Sequence, residues 1–175
     1  MRTKLLIAFL MFASSLIWAA DKLQPLNVKL GLWETTSTNT MSGAPPISPD
    51  VLAKLTPEQR AKFEQMMKAR SGTPTTRTHK HCLTKERLER EMGFGDEERG
   101  KCTREIVSSS SSGAEVKFHC VEDEMTSNGT AKFQASTPEN VKGTVHAVTT
   151  GSGKTMTMDV NLTSRYLGPS CGDVK

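Results

Sequence analysis

Aromatic side chains are scarce in this sequence: they make up 5% of its 175 residues, and tyrosine occurs once. Hydrophobic residues of all kinds reach 35%. This composition predicts a thin hydrophobic core, and the length suits one domain and not two. A surplus of one charge is also missing, because 23 basic residues are balanced by 19 acidic ones. This balance argues against a dedicated nucleic-acid binder, so we expect no nucleic-acid partner.

Long apolar runs are missing as well, except for one at the start. The charge-free run Leu5–Trp18 follows a short basic segment and precedes Ala19 and Ala20. Basic, apolar and small-residue regions in this order predict a secretory signal peptide over 1–20, cleaved after one of the two alanines, and a single exported β-rich domain over 21–175. The apolar run is shorter than the ~20 residues that a spanning helix needs, so we expect no transmembrane helix after cleavage.

The sequence contains only four cysteines: Cys82, Cys102, Cys120 and Cys171. An even count in an exported domain predicts two disulfides, with three possible pairings. Cys102 and Cys120 flank two β-compatible segments joined by a serine-rich turn, which predicts a hairpin centred on Ser111. In this hairpin the two cysteines face each other on the apolar side, as do three further pairs: Arg104–Phe118, Ile106–Val116 and Ser108–Ala114. A Cys102–Cys120 bridge is therefore favoured, and Cys82–Cys171 follows by subtraction.

Apolar and polar residues alternate in much of the remaining chain, which is typical of half-buried strands. Beyond the hairpin, strands are predicted near 27–40, 130–136, 141–148 and 155–162, with turns at 128–129, 138–140 and 151–153. Consecutive strands joined by short turns predict a mainly β (α+β) fold, in which an antiparallel meander forms a curved sheet or an open barrel.

A helical insertion is predicted at about 49–92. Its parts are, in order, a helix over 49–55, a helix over 57–70 opened by the capping box Thr56–Gln59, an extended segment over 75–82, and a helix that Thr84 caps and that ends near Gly93. The apolar strand faces would enclose a cavity unless the second helix fills it with Phe63, Met66 and Met67. The low aromatic content favours this plug, because few large side chains are present to fill a wide barrel.

Three histidines form a candidate metal site. His79 and His81 share one face of the extended segment and His119 adjoins Cys120, and imidazoles so placed suit zinc or copper. No acidic third ligand is spaced nearby, so solvated strand histidines are favoured and metal binding is kept as the alternative. No nucleophile stands beside a base in a recognisable pattern, so we predict no catalytic residue, no enzyme activity and no cofactor.

Several short motifs resemble a known family. These are Gly31-Leu32-Trp33-Glu34, Cys82-Leu83-Thr84 and the closing run Arg165-Tyr-Leu-Gly-Pro-Ser-Cys-Gly-Asp-Val174. Together they resemble exported Gram-negative proteins catalogued as domain-of-unknown-function family 3617, over nearly the whole mature chain. The resemblance implies a periplasmic location and a disulfide-bonded, mostly β domain, and it assigns no activity.

The Gly31-x-Trp33 pattern also resembles the lipocalin signature. That resemblance implies that Arg165, on the last strand, stacks on Trp33. Trp33 also ends the alternating part of the first strand, where a large ring can close one end of the sheet. We interpret Gly31, Trp33 and Arg165 as structural residues.

Two functions remain in view. The sequence favours a non-catalytic periplasmic domain that binds a small apolar ligand or an envelope component, because curved sheets offer sites of this kind. The alternative is a periplasmic copper- or zinc-binding protein. The ligand, the partner and the oligomeric state are not fixed by the sequence.

Overall fold

A computed structural model describes residues 23–46, 49–92, 101–122 and 124–174. The predicted signal peptide and the expected helix end at Gly93 lie outside these residues. Within the described ranges the elements follow one another in this order: β1 (Gly31–Gly43), α1 (Pro49–Lys54), α2 (Pro57–Arg70), β2 (Thr75–Leu83), α3 (Lys85–Met92), β3 (Lys101–Ser110), β4 (Gly113–Glu122), β5 (Met125–Thr137), β6 (Asn140–Gly151) and β7 (Lys154–Gly168).

The strands form one antiparallel sheet in the order β2-β1-β7-β6-β5-β4-β3. From β3 to β7 each strand pairs with the next one along the chain, and β1 then lies beside β7 with β2 outside it. The mainly β antiparallel fold predicted from the sequence is therefore confirmed. Because β2 and β3 lie at opposite edges, the sheet is open, and the expected helical insertion contributes one of its strands.

The sheet has an apolar face and a polar face, because side chains alternate along each strand. One row of cross-strand neighbours on the apolar face runs through Val160, Val145, Ala131, Val116 and Ile106. The adjacent row on the polar face runs through Asn161, Thr144, Lys132 and Glu115. The same alternation that predicts the strands therefore also determines which side of the sheet is apolar.

Small residues make up much of the centre of the apolar face. Among the described residues, the large side chains less than 2% exposed are Trp33 and Val116, and the core also includes Ala114, Ala131 and Ala147. At Gly143 a Cβ atom would lie 2.8 Å from the ring of Phe133 and 2.9 Å from Leu162. These two side chains therefore close over a position that only glycine fits. The core is thin, as the composition predicts.

The β3–β4 hairpin has the predicted register near its cysteines, with the pairs Cys102–Cys120, Arg104–Phe118 and Ile106–Val116. A β-bulge then shifts the register by one residue, so Ala114 faces Ser109 and not the predicted Ser108. The turn explains the shift. The Ser110 hydroxyl accepts the N–H of Gly113 at 3.1 Å, which favours a two-residue turn and leaves the extra residue in the bulge.

Both expected disulfides are present. The hairpin disulfide joins Cys102 to Cys120, and the long-range disulfide joins Cys82 to Cys171 across 89 residues of sequence. The first ties two neighbouring strands of the meander. The second links the end of the edge strand β2 to the segment that follows β7.

The turn predicted at Asn128-Gly129 is wrong, because both residues lie inside β5. An Asn-Gly pair favours a turn only locally, and cross-strand contacts overrule that preference here. The Nδ1 atom of His119 lies 2.7 Å from the Oδ1 atom of Asn128. The other predicted turns are confirmed; at Ser152-Gly153 both φ angles are positive, at 48° and 70°, as in the tight hairpin turns that suit twisted strands.

The second helix begins as predicted but does not plug the sheet. The hydroxyl of Thr56 accepts the N–H of Gln59 and the Gln59 side chain accepts the N–H of Thr56, which completes the capping box. In α2, all of which the structure describes, no residue is buried. Phe63 and Met67 lie beside the end of β1, and Met66 is 43% exposed. The expected plug is therefore wrong, because a plug requires buried side chains.

Candidate ligand cavity

A strap formed by residues 23–30 crosses one end of the sheet before β1 begins. The N–H of Asn27 donates to the carbonyl of Ser111 at 2.7 Å, and the N–H of Lys29 donates to the carbonyl of Pro138 at 2.9 Å. These bonds join the strap to the turns that follow β3 and β5. The first strand predicted over 27–40 therefore starts later, at Gly31, because residues 27–30 bond to turns and not to a strand.

The strap is fastened at its second half by Trp33. The indole ring is 1% exposed, and its N–H donates to the carbonyl of Lys29 at 2.8 Å. Its centroid lies 5.8 Å from that of Tyr166 in an edge-on arrangement, which is a favourable geometry for aromatic pairs. Gly31 precedes it with a φ of 134°, where any Cβ atom would overlap the carbonyl of Gly168. The Gly-x-Trp pattern thus places the indole at the sheet end.

A second contact holds the strap from outside. The Nζ atom of Lys29 lies 2.5 Å from the Oε1 atom of Glu139 and 5.4 Å from the centroid of the Tyr166 ring. The hydrogen bond to Glu139, together with the attraction of its carboxylate, raises the pKa of Lys29. Both side chains are about half exposed, so solvent screens this pair.

Arg165 does not stack on Trp33. Its guanidinium pairs with the carboxylate of Glu34, with Nη2 and Nε at 2.7 and 2.8 Å from Oε1. A bulge in β1 aligns Trp33 with Tyr166 and Glu34 with Arg165. Because neighbouring residues of a strand face opposite sides, Arg165 lies on the polar face and Tyr166 takes the place beside the indole. The stacking that the lipocalin resemblance implied is therefore wrong.

Between the strap, β1, β2, α3 and the middle of the apolar face lies a cavity of about 260 Å³. The apolar part of its wall comprises Leu26, Val28, Trp33, Leu83, Leu88, Phe133, Val141 and Leu162. The polar part comprises Thr35, His79, His81, Arg87 and Ser164. The cavity therefore combines an apolar interior with a small set of polar groups, which is the usual composition of small-molecule sites.

The polar groups are held in place by local structure. The hydroxyls of Thr35 and Ser164 lie 2.6 Å apart, and Thr35 is 8% exposed. The hydroxyl of Thr84 accepts the N–H of Arg87 at 3.2 Å, as an N-cap does. Arg87 Nη1 also lies 3.5 Å from the carbonyl oxygen of Cys82. Since α3 starts directly after β2, its first turn carries this guanidinium to the cavity wall.

The structure brings together two of the three histidines proposed as metal ligands. The ring centroids of His79 and His81 lie 5.6 Å apart on β2. His119 lies on the polar face of β4, and four strands separate β2 from β4. Among the residues that the structure describes, no three His, Cys, Asp or Glu side chains are grouped to hold a metal ion.

Sequence reasoning missed Thr35, Ser164 and Arg87 as site residues. It also missed an exposed pair on the polar face, where the Nδ1 atom of His146 lies 2.7 Å from Asp159 Oδ1. The register of neighbouring strands is the signal that unites Thr35 with Ser164 and His146 with Asp159, whereas Arg87 reaches the site because α3 follows β2 directly. That register was predicted only for the β3–β4 hairpin, which lies away from the cavity.

The fold and the cavity define a class: a small, disulfide-bonded open-sheet protein with a largely apolar cavity at one end. The chain belongs to the family described as "Protein of unknown function (DUF3617)", which it matches over residues 24–171. Within the described ranges, no helix is long and apolar enough to cross a membrane.

Similarity to individual proteins is faint. No curated protein matches the sequence significantly. Among solved structures, the chain is similar to the S-type phycobiliprotein lyase CPES from Guillardia theta, with 8% identity and a TM-score of 0.27 over 81% of this chain and 90% of that one. A similarity of this size carries no argument about function.

Proposed function

We propose that this chain is a non-catalytic periplasmic domain that binds a small apolar ligand in the cavity between the strap and the sheet. The observation that carries the proposal is the cavity itself, whose wall is mostly apolar although the rest of the core is thin. Side chains that line an empty space lack dispersion contacts on that side, and a ligand in the space would supply those contacts.

The size of the cavity limits the ligand. Its volume of about 260 Å³ lies just below the range of about 300–1,000 Å³ that is common for small-molecule sites. A ligand that buries about 200 Å² of apolar surface gains about 5 kcal/mol before the costs of association. The fitting ligand is therefore small, and its affinity is moderate.

Two features support the location and the absence of catalysis. Disulfides persist in oxidising compartments, and this chain has two, in addition to the predicted signal peptide. The hydroxyl of Ser164 is paired with that of Thr35 and not with a histidine, so the cavity wall does not present it as an activated nucleophile.

A fluorescence titration tests the proposal. The probe is N-phenylnaphthylamine, a neutral dye that emits more strongly in apolar surroundings. Val141 lines the cavity, whereas Val145 lies two rows further along the apolar face of the same strand, beyond Gly143, and does not line it. Val141→Phe places a ring in the cavity, and Val145→Phe is the matched control for an added ring on that face.

We expect the wild type and Val145→Phe to bind the dye saturably and Val141→Phe to lose the binding. Far-ultraviolet circular dichroism and thermal melting confirm that both variants are folded before the titrations are compared. Equal dye binding by the wild type and Val141→Phe would contradict the proposed site. Failure of the folded wild type to bind the dye would contradict the proposed function.

A further inference from the structure

We infer that the cavity selects a small linear amphiphile with a carboxylate head group, which lies across the strands with its head at β2 and its tail at β6. This inference rests on the proposed function and specifies the ligand class. It is carried by the distribution of charge and polarity around the cavity, since neither is uniform along its wall.

The groups able to carry positive charge lie together on one side. His79 and His81 come from the edge strand β2, and Arg87 comes from α3, which directly follows it. On the opposite side, β5 and β6 contribute Phe133 and Val141. Among the lining residues that the structure describes there is no carboxylate. The side formed by β2 and α3 therefore carries the groups able to bear positive charge, beside Leu83 and Leu88, whereas β5 and β6 contribute only apolar side chains to the opposite side.

A single row of cross-strand neighbours connects the two sides. His79 faces Thr35, Thr35 faces Ser164, and Ser164 faces Val141, and all four residues line the cavity. The row thus changes from imidazole through two hydroxyls to an aliphatic side chain. A molecule lying along it meets its polar partners at one end and apolar surface at the other.

The length of this row indicates the length of the ligand. Four adjacent strands span three inter-strand spacings of about 4.8 Å each, or about 14 Å in all. An extended decanoate anion has a comparable length. A chain of this kind places its carboxylate beside β2 when its terminal methyl group reaches β6.

Arg87 determines the sign of the head group. Arginine stays protonated at every physiological pH, and its planar guanidinium matches the geometry of a carboxylate. The side chain is half-buried, so its charge is screened less than that of a fully exposed arginine. The N-cap of Thr84 fixes the helix turn that carries it. A cationic head group would meet repulsion at this position, and a neutral one would gain no charge-assisted bond.

Displacement of bound N-phenylnaphthylamine by three amphiphiles of equal chain length tests the inference, with each used below its micelle concentration. The competitors are decanoate, decanol and decyltrimethylammonium. We expect decanoate to displace the dye at about tenfold lower concentration than decanol, as one charge-assisted bond allows. Decyltrimethylammonium should be the weakest competitor.

Arg87→Met removes the charge and keeps an apolar stem, and Arg87→Lys restores a charge without the planar fork. We expect Arg87→Met to need about tenfold more decanoate to displace the dye and the same amount of decanol as the wild type. For decanoate, Arg87→Lys should lie between the wild type and Arg87→Met. Arg77→Met is the matched control, because Arg77 is an exposed residue on the same face of β2 that does not line the cavity. In Arg77→Met, each amphiphile should displace the dye at the same concentration as in the wild type.

The outcomes separate this inference from the proposed function. If decanol and decanoate compete equally in the wild type, or if Arg87→Met weakens both equally, the carboxylate preference is wrong while the apolar site stands. If the folded wild type binds neither dye nor amphiphile, both proposals are wrong. The wild-type comparison needs no variant, so it decides the question even if Arg87→Met does not fold.

Discussion

Replacing Trp33 with alanine should destabilise the fold more than any other single substitution in the strap region. The substitution removes an indole that is 1% exposed, its edge-on contact with Tyr166 and its hydrogen bond to the carbonyl of Lys29. Removal of a buried tryptophan costs about 3–5 kcal/mol. Small domains have about 5–15 kcal/mol of stability in total, so the variant should lie close to its unfolding threshold.

Two matched variants separate the contributions to that loss. Trp33→Phe keeps a ring but removes the N–H donor, and it should cost about 1–2 kcal/mol because the hydrogen bond is lost and the ring is smaller. Leu30→Ala changes a strap side chain that is 47% exposed, and it should change the stability by no more than about 0.5 kcal/mol. Urea unfolding followed by far-ultraviolet circular dichroism measures all three.

A Trp33→Ala variant no less stable than Leu30→Ala would show that the indole does not anchor the strap. If that variant also failed to bind N-phenylnaphthylamine, Trp33 would be a ligand-contacting residue without a structural role. A loss of about 3–5 kcal/mol, with Trp33→Phe in between, would establish that the indole anchors the strap to the sheet.

Three further outcomes are expected. Peptide mapping should find no free thiols, and a map that joins cysteines of different bridges would contradict the structure. Removal of the hairpin disulfide should cost about 3 kcal/mol against about 4–5 kcal/mol for the long-range disulfide, because loop-closure entropy grows with the sequence separation, which is 18 for the first and 89 for the second. Glu139→Gln should lower the pKa of Lys29 in an NMR titration. Because folding raises that pKa, the stabilisation by the pair is complete below the unfolded pKa and is lost as the pH rises through the folded one; an unchanged pKa would show that the pair does not form in solution. Deletion of 49–72 should leave a folded protein with unchanged dye binding, since α2 buries no residue, whereas aggregation would show that α2 covers apolar surface.

Local sequence patterns predicted the parts of the fold that are formed by residues close together in the sequence. The alternation between Cys102 and Cys120 determined the hairpin register as far as Ile106, because both strands and their turn lie in one short segment. The bulge beyond it depends on how the turn residues bond, and their sequence of serines does not reveal that. At Asn128-Gly129 the local pattern predicts a turn, but pairing with the neighbouring strand β4 keeps both residues in β5.

The cavity could not be predicted from local patterns, because it depends on long-range strand pairing. Its central row joins His79, Thr35, Ser164 and Val141, which are far apart in the sequence and meet only through the pairing of β2, β1, β7 and β6. His79 was proposed as a metal ligand because the His-x-His spacing places two imidazoles on one face of a strand. Its hydroxyl neighbours on the adjacent strands are ordinary strand residues, and only the long-range register gives them a shared site.

Methyl NMR with N-phenylnaphthylamine is the most direct test of the claim that the cavity binds an apolar ligand. The methyl groups of Val141 and Leu162 line the cavity, whereas those of Val116 and Val148 lie outside it. We expect saturable shifts at Val141 and Leu162, with little change at Val116 and Val148. Shifts that are largest at Val116 or Val148, or no shifts at all on a folded protein, would contradict it.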